Sequence, residues 1–156
     1  MNKELLLKDL CARLPYGVIC QYNCASSCDS LVIAKANAIG ELHGIVPLTN
    51  GNIGFMVGSD KINALQGDIK PFLRPMSSMI EEEFEKLKEY SGLVYDQLDL
   101  ASFQDGAYKC LDFYLNEVPA DVVILVFDWL NAHHFDYRGL IERGLALEAP
   151  EDMYNL

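Results

Sequence analysis

The sequence predicts an α+β fold, with a small antiparallel β meander or partial barrel over about residues 18–58 packed against an N-terminal helix and a C-terminal helical half. Three observations predict it. Apolar residues recur at helical spacing before Pro15 and again after Ser78. Between Val18 and Gly58 they come instead in short β-type runs, many of them β-branched. An Asn-Gly pair, Asn50-Gly51, separates two of those runs and marks a hairpin.

The first helix spans about Asn2 to Leu14. Leu6, Leu7, Leu10, Cys11 and Leu14 share one face, and Lys3, Glu4, Lys8 and Asp9 the other. Asn2 caps it and Pro15 to Gly17 end it. Val18–Tyr22, Leu31–Ala34, Ile45–Leu48 and Ile53–Val57 read as strands. Asn50-Gly51 accepts the positive φ angles of a tight type I′ turn, which pairs the last two. Pro47 has no N–H to give a ladder, so its strand is placed at an edge. Ile69 to Met76 is extended, because Pro71 and Pro75 keep their predecessors out of the helical region.

Ser78 and Glu81 form a capping box that opens a helix from about Met79 to Tyr90. Its leading glutamates, Glu81, Glu82 and Glu83, sit at the positive end of the dipole, and Glu82–Lys86 and Glu85–Lys88 make its outer face a solvated charge surface. Ser102 caps a helix over about Phe103–Asn116, with Phe103, Ala107, Cys110, Leu111 and Tyr114 inward. Pro119 opens a central helix, about Ala120–His133, built on Val122, Val123, Val126, Phe127, Trp129 and Leu130. The run Val122–Phe127 also fits a buried strand; the preceding proline and the length favour helix. Asp136 caps a last helix, about Tyr137 to Leu147. With no repeat, low-complexity stretch or long linker, the chain reads as a single domain, 1–156, whose two halves share a core.

The chain has 156 residues, 51% hydrophobic and 22% charged. That is enough apolar surface to offset the entropy of folding without disulfide or metal staples. The longest apolar run, Val118–Leu130, is broken by Pro119, Asp121 and Asp128 and falls short of the roughly 20 residues a bilayer crossing needs. Met1-Asn2-Lys3-Glu4 mixes both charge signs and leads into no signal-peptide core, so a cytoplasmic protein without membrane contact is expected. Twelve basic residues against 23 acidic ones give a net charge of −11, a field that opposes direct binding to nucleic acid and favours solubility. Five cysteines, an odd number without a secretory leader, read as reduced thiols, with Cys11 and Cys110 as small core residues.

Two constellations bear on chemistry. Cys20, Cys24 and Cys28 form C-x3-C-x3-C; a zinc knuckle uses C-x2-C in two pairs, and a fourth ligand here would have to come from as far as His43. If Cys24 and Cys28 flank a tight turn, they face each other across a hairpin as an oxidisable pair; the preferred reading is ordinary strand and turn cysteines, with no metal and no cofactor. Trp129, His133, His134, Asp136, Tyr137 and Arg138 form the densest polar–aromatic cluster. Adjacent histidines on a helix point about 100° apart, so His133 and His134 do not converge on one metal. The cluster reads as a helix–helix corner, and Trp129, His133, His134, Asp136 and Arg138 are its candidate binding surface. The chain carries no G-x-S-x-G, Walker-type or G-x-G-x-x-G motif, so no catalytic residue is assigned.

The segments KPFLRPMSSM (Lys70–Met79), FDWLNAHHFDYRGLIE (Phe127–Glu142), LCARLPYGV (Leu10–Val18) and GLALEAP (Gly144–Pro150) resemble a family of small uncharacterised proteins of gut bacteria and their prophages or phages. The resemblance spans most of the chain and is weakest from about Cys20 to Asp68. It implies a mobile-element context and nothing about mechanism. Together these readings favour a non-catalytic accessory or protein-interaction protein with a protein partner. Two rivals stand beside it: a small enzyme or metalloprotein using His133, His134 and Asp136, and an acidic decoy that mimics nucleic acid.

Overall fold

Apolar spacing changes from helical to alternating after Gly17, and there the first helix gives way to sheet. A computed structural model describes residues 2–28, 31–48, 53–58, 62–65, 69–93, 98–113 and 118–154. The fold is α+β. The chain divides into two compact units, Met1–Phe72 with Leu140–Leu147 and Leu73–Gly139 with Glu148–Leu156.

In the first unit, α1 (Asn2–Arg13) buries Leu6, Asp9, Leu10 and Arg13, one stripe at i, i+3, i+4 and i+7 spacing. That stripe corrects the expected face in two places: Cys11 is exposed, and Asp9 lies inside. Asp9 is admitted because Arg13 goes in with it, Nε and Nη2 donating to its two carboxylate oxygens at 2.8 and 3.1 Å. A 3-10 turn (Leu14–Tyr16) and the left-handed Gly17 (φ 68°) then turn the chain into the sheet.

The strands are β1 (Ile19–Cys28), β2 (Leu31–Pro47), β3 (Ile53–Val57), β4 (Ile62–Leu65), β5 (Ile69–Leu73) and the short β6 (Leu147–Glu148), in the order β4-β3-β2-β1-β5-β6. The β1–β2, β1–β5, β2–β3 and β3–β4 pairs are antiparallel. Where short separate strands were expected, β1 and β2 are long and continuous. Register shifts opposite Tyr22/Cys24 and at Leu42/Gly44 bend β2, so that its first part pairs with β1 and its last part with β3. At the first shift Asn37 takes a left-handed conformation (φ 53°), and its N–H donates to Asn23 Oδ1 at 2.8 Å.

The expected Ile45–Leu48/Ile53–Val57 hairpin pairs as Ile45↔Phe55, Val46↔Gly54 and Pro47↔Ile53, while its turn, Asn50-Gly51, lies outside the described residues. Pro47 does not mark an edge strand, since β2 lies inside the sheet order; it is tolerated because it sits past the end of the β1 pairing, which runs from Cys28↔Leu31 to Ile19↔Glu41. Cys24 and Cys28 do not face each other across a hairpin: both lie on β1, with Lys35 and Leu31 as their Cα partners.

The second unit holds α2 (Glu81–Ser91), α3 (Leu100–Phe113, broken at Gly106) and α4 (Ala120–Ala132) around a core of Phe84, Leu87, Phe103, Leu111, Val126, Leu130 and their neighbours. The Val122–Phe127 run is helical, within α4 behind Pro119. Two caps sit elsewhere than expected. Glu83, not Glu81, reaches back, accepting the Ile80 N–H at 3.1 Å, while Ser78 Oγ donates to the Pro75 carbonyl. Asp99, not Ser102, caps α3, taking the Ser102 N–H at 2.7 Å. Of the inward residues of α3, Phe103, Ala107 and Leu111 are buried and Cys110 is partly so; Tyr114 lies outside the described residues.

The last helix, expected over Tyr137–Leu147, does not form. Positive φ at Gly139 (66°) and Gly144 (67°) interrupts it, and the chain runs through successive turns instead. No helix among the described residues is long and apolar enough to cross a membrane.

Candidate functional site

The site begins where β5 ends, in the second unit. Arg74 lies between Leu73 and Pro75 in extended backbone and bridges in parallel to Phe135. Its N–H donates to the His134 carbonyl at 2.8 Å, and its own carbonyl accepts from the Asp136 N–H at 2.7 Å. The segment after α4 is therefore pinned to the segment after β5. To deliver that carbonyl, His134 adopts a left-handed backbone (φ 59°), which costs a residue with a Cβ about 1–2 kcal/mol.

Behind this joint the aromatic rings form a stack. His133 lies 3.7 Å from Trp129 at 16°, and Trp129 lies 6.0 Å from Phe135 at 12°. The Arg74 guanidinium covers the Phe135 ring, its Cζ 4.2 Å from the centroid. Its outer end is forked onto Glu83, Nη1 to Oε1 at 2.8 Å and Nη2 to Oε2 at 3.0 Å. One carboxylate, one guanidinium and three rings thus run in sequence from α2 to the end of α4.

The candidate residues divide between this wall and its flank. Trp129 is 5% exposed and His134 and Asp136 are also buried, so these three are part of the wall and offer little surface. His133 and Arg138 are half-buried, and Arg138 lies over the Tyr137 ring with Cζ 5.0 Å from its centroid. Tyr137 donates to Asn131 Oδ1 at 2.9 Å and packs 5.0 Å from Phe127. Asp136 does not cap a helix, since turns follow it.

Burial holds His133 below the ordinary histidine range, against the opposing pull of its bond to Trp129 and of the Glu83 charge. Its Nδ1–H donates to the Trp129 carbonyl at 2.8 Å, which leaves Nε2 as the acceptor in the neutral ring. Burial pushes Glu83 up, but the Arg74 hydrogen bonds, the Ile80 N–H and the Arg74 charge together hold it below the usual carboxylate range.

In front of the wall is an open cleft of about 610 Å³ lined by Arg74, Pro75, Ser78, Glu83, Glu148, Ala149, Pro150, Glu151 and Tyr154. Its far side is fixed by the Ala149 N–H donating to the Leu73 carbonyl at 2.8 Å. A turn closed by Met153 N–H on the Pro150 carbonyl (3.0 Å) then brings Tyr154 back to stack on His134, 3.8 Å away at 24°. Sequence reasoning named the wall and missed the cleft. Arg74 and Pro75 carried only a backbone signal there, Glu83 was absorbed into a run of solvated glutamates, and Glu148, Glu151 and Tyr154 had no pattern around them.

Among the described residues no three His, Cys, Asp or Glu side chains converge to hold a metal ion. Comparison of the chain with protein-family models, curated proteins and solved structures finds no match.

Proposed function

We propose that the protein is a non-catalytic interaction protein of a mobile element, working in the cytoplasm and holding a protein partner at the cleft of its second unit. The observation that supports this reading is the cleft in front of the stacked wall: its guanidinium is already paired with Glu83 and its aromatic backing is packed. Such a surface offers fixed shape and charge to a ligand, with little reorganisation on binding. The titratable groups nearest the joint are engaged in holding structure: Glu83 on Arg74 and the Ile80 amide, His133 on the Trp129 carbonyl. The acidic balance, −11 over 156 residues, suits a partner with a basic surface and speeds its approach.

Cross-linking and affinity capture from a bacterial host test this with two proteins, wild type and a Ser78→Trp variant whose indole fills the cleft from an exposed position. A specific polypeptide retained by wild type and lost by the folded variant is the expected result. Capture indifferent to the filled cleft would overturn the reading.

A further inference from the structure

The cleft contains its own example of how it treats a guanidinium. Arg74 lies over an aromatic ring and is forked by a carboxylate at 2.8 and 3.0 Å. The same two elements recur on the opposite lining. Glu148 and Glu151 are exposed carboxylates, and the Tyr154 ring shares their lining, stacked on His134. Among the described residues neither Glu148 nor Glu151 is joined to a lysine or arginine. Arg74 offsets Glu83, so the lining carries two uncompensated negative charges beside an aromatic surface.

From this juxtaposition we propose that the cleft receives an arginine side chain of a partner polypeptide, with Glu148 and Glu151 taking the guanidinium beside the Tyr154 ring; the proposal rests on the interaction reading above. Arginine is favoured over lysine for two reasons. A planar guanidinium stacks on a ring and bonds a carboxylate bidentately, and its weaker hydration lowers the cost of entering a half-enclosed space. A lysine ammonium also hydrogen-bonds a carboxylate and attracts a ring, but as a compact, strongly hydrated charge it makes no bidentate fork.

The test uses fluorescence anisotropy with labelled Gly-Arg, Gly-Lys and Gly-Gln repeat peptides of equal length at about 150 mM NaCl, where long-range attraction is screened beyond about 8 Å. The Gly-Arg peptide binds wild type at least about fivefold more tightly than the Gly-Lys peptide. Glu148→Gln/Glu151→Gln lowers that affinity about tenfold or more. Glu82→Gln/Glu89→Gln, which removes the same charge from the exposed face of α2, changes it less than about twofold. Equal binding of Gly-Lys, or equal losses in the two double variants, would overturn the proposal by reducing the effect to net charge. No binding of Gly-Arg, while a native partner is still captured through the cleft, would overturn the arginine assignment alone. Cleft-independent capture defeats the wider reading instead.

Discussion

Trp129 has ring neighbours on both sides, His133 at 3.7 Å and Phe135 at 6.0 Å, and little else about the corner can move without it. Trp129→Ala should lower the unfolding free energy by about 3–5 kcal/mol, because truncation leaves a cavity that a stacked wall cannot collapse into. Urea melts measure this, and a loss below about 1 kcal/mol would mean the ring is not packed. The buried Asp9–Arg13 pair behaves differently. Asp9→Ala leaves a guanidinium buried without its carboxylate and should cost about 3–5 kcal/mol, whereas Asp9→Leu/Arg13→Met should recover most or all of it. A double variant no better than the single one would show that the pair itself stabilises α1. His133 sets the pH dependence. Its folded value lies below the ordinary 6.5, so its contribution is complete above 6.5 and is lost as pH falls through the lower folded value. Chemical melts between pH 7 and 5 should show stability falling, and His133→Gln should flatten that slope. Glu83, also held low, acts in the same direction at more acid pH.

At the scale of elements, local turn chemistry accounts for the differences between expectation and structure. Periodicity located α1, α2, α3 and α4 because each buries a stripe, and β-type runs located the sheet; both signals are carried by the side chains that pack. The last helix failed on backbone, not on apolar pattern. Tyr137 and Leu140 are buried at helical i, i+3 spacing, but Gly139 and Gly144 bend the chain at positive φ. Gly139→Ala should cost about 1–2 kcal/mol, although nothing lies within 4 Å of the added methyl, because the penalty is in φ alone. A neutral or stabilising Gly139→Ala would mean that the segment relaxes into the helix its sequence suggests. The oxidisable-pair alternative for the cysteines needed a tight turn between Cys24 and Cys28. That run of small and polar residues resembles a turn by composition, yet it is strand, paired residue by residue from Cys24↔Lys35 to Cys28↔Leu31. Four residues along a strand separate the Cys24 and Cys28 backbones by about 13 Å, more than a disulfide between them can span. The cleft was illegible because its lining comes from three separated stretches of chain, around Arg74, Glu83 and Glu148–Tyr154, which only the fold brings together.

At the scale of the whole molecule, the two compact units are interleaved in sequence: the first takes Met1–Phe72 and Leu140–Leu147, the second Leu73–Gly139 and Glu148–Leu156. That arrangement sets a timetable for synthesis. Sixty-seven residues, Leu73–Gly139, separate Phe72 from Leu140, and at roughly 5–20 residues per second the ribosome needs about 3–13 s to add them. Domains of this size commonly fold within milliseconds to seconds. The nascent sheet therefore waits, unfinished, on a segment still being decoded, and Leu140–Leu147 and Glu148–Leu156 complete the two units within a second or two of each other. Ribosome-bound chains stalled at increasing lengths should stay protease-sensitive while only Met1–Phe72 has emerged, then gain resistance in both units together once Glu148–Leu156 is clear. A slow stretch of codons before residue 140 would lengthen the exposure, and a chaperone that covers open strand edges would have its client during that interval.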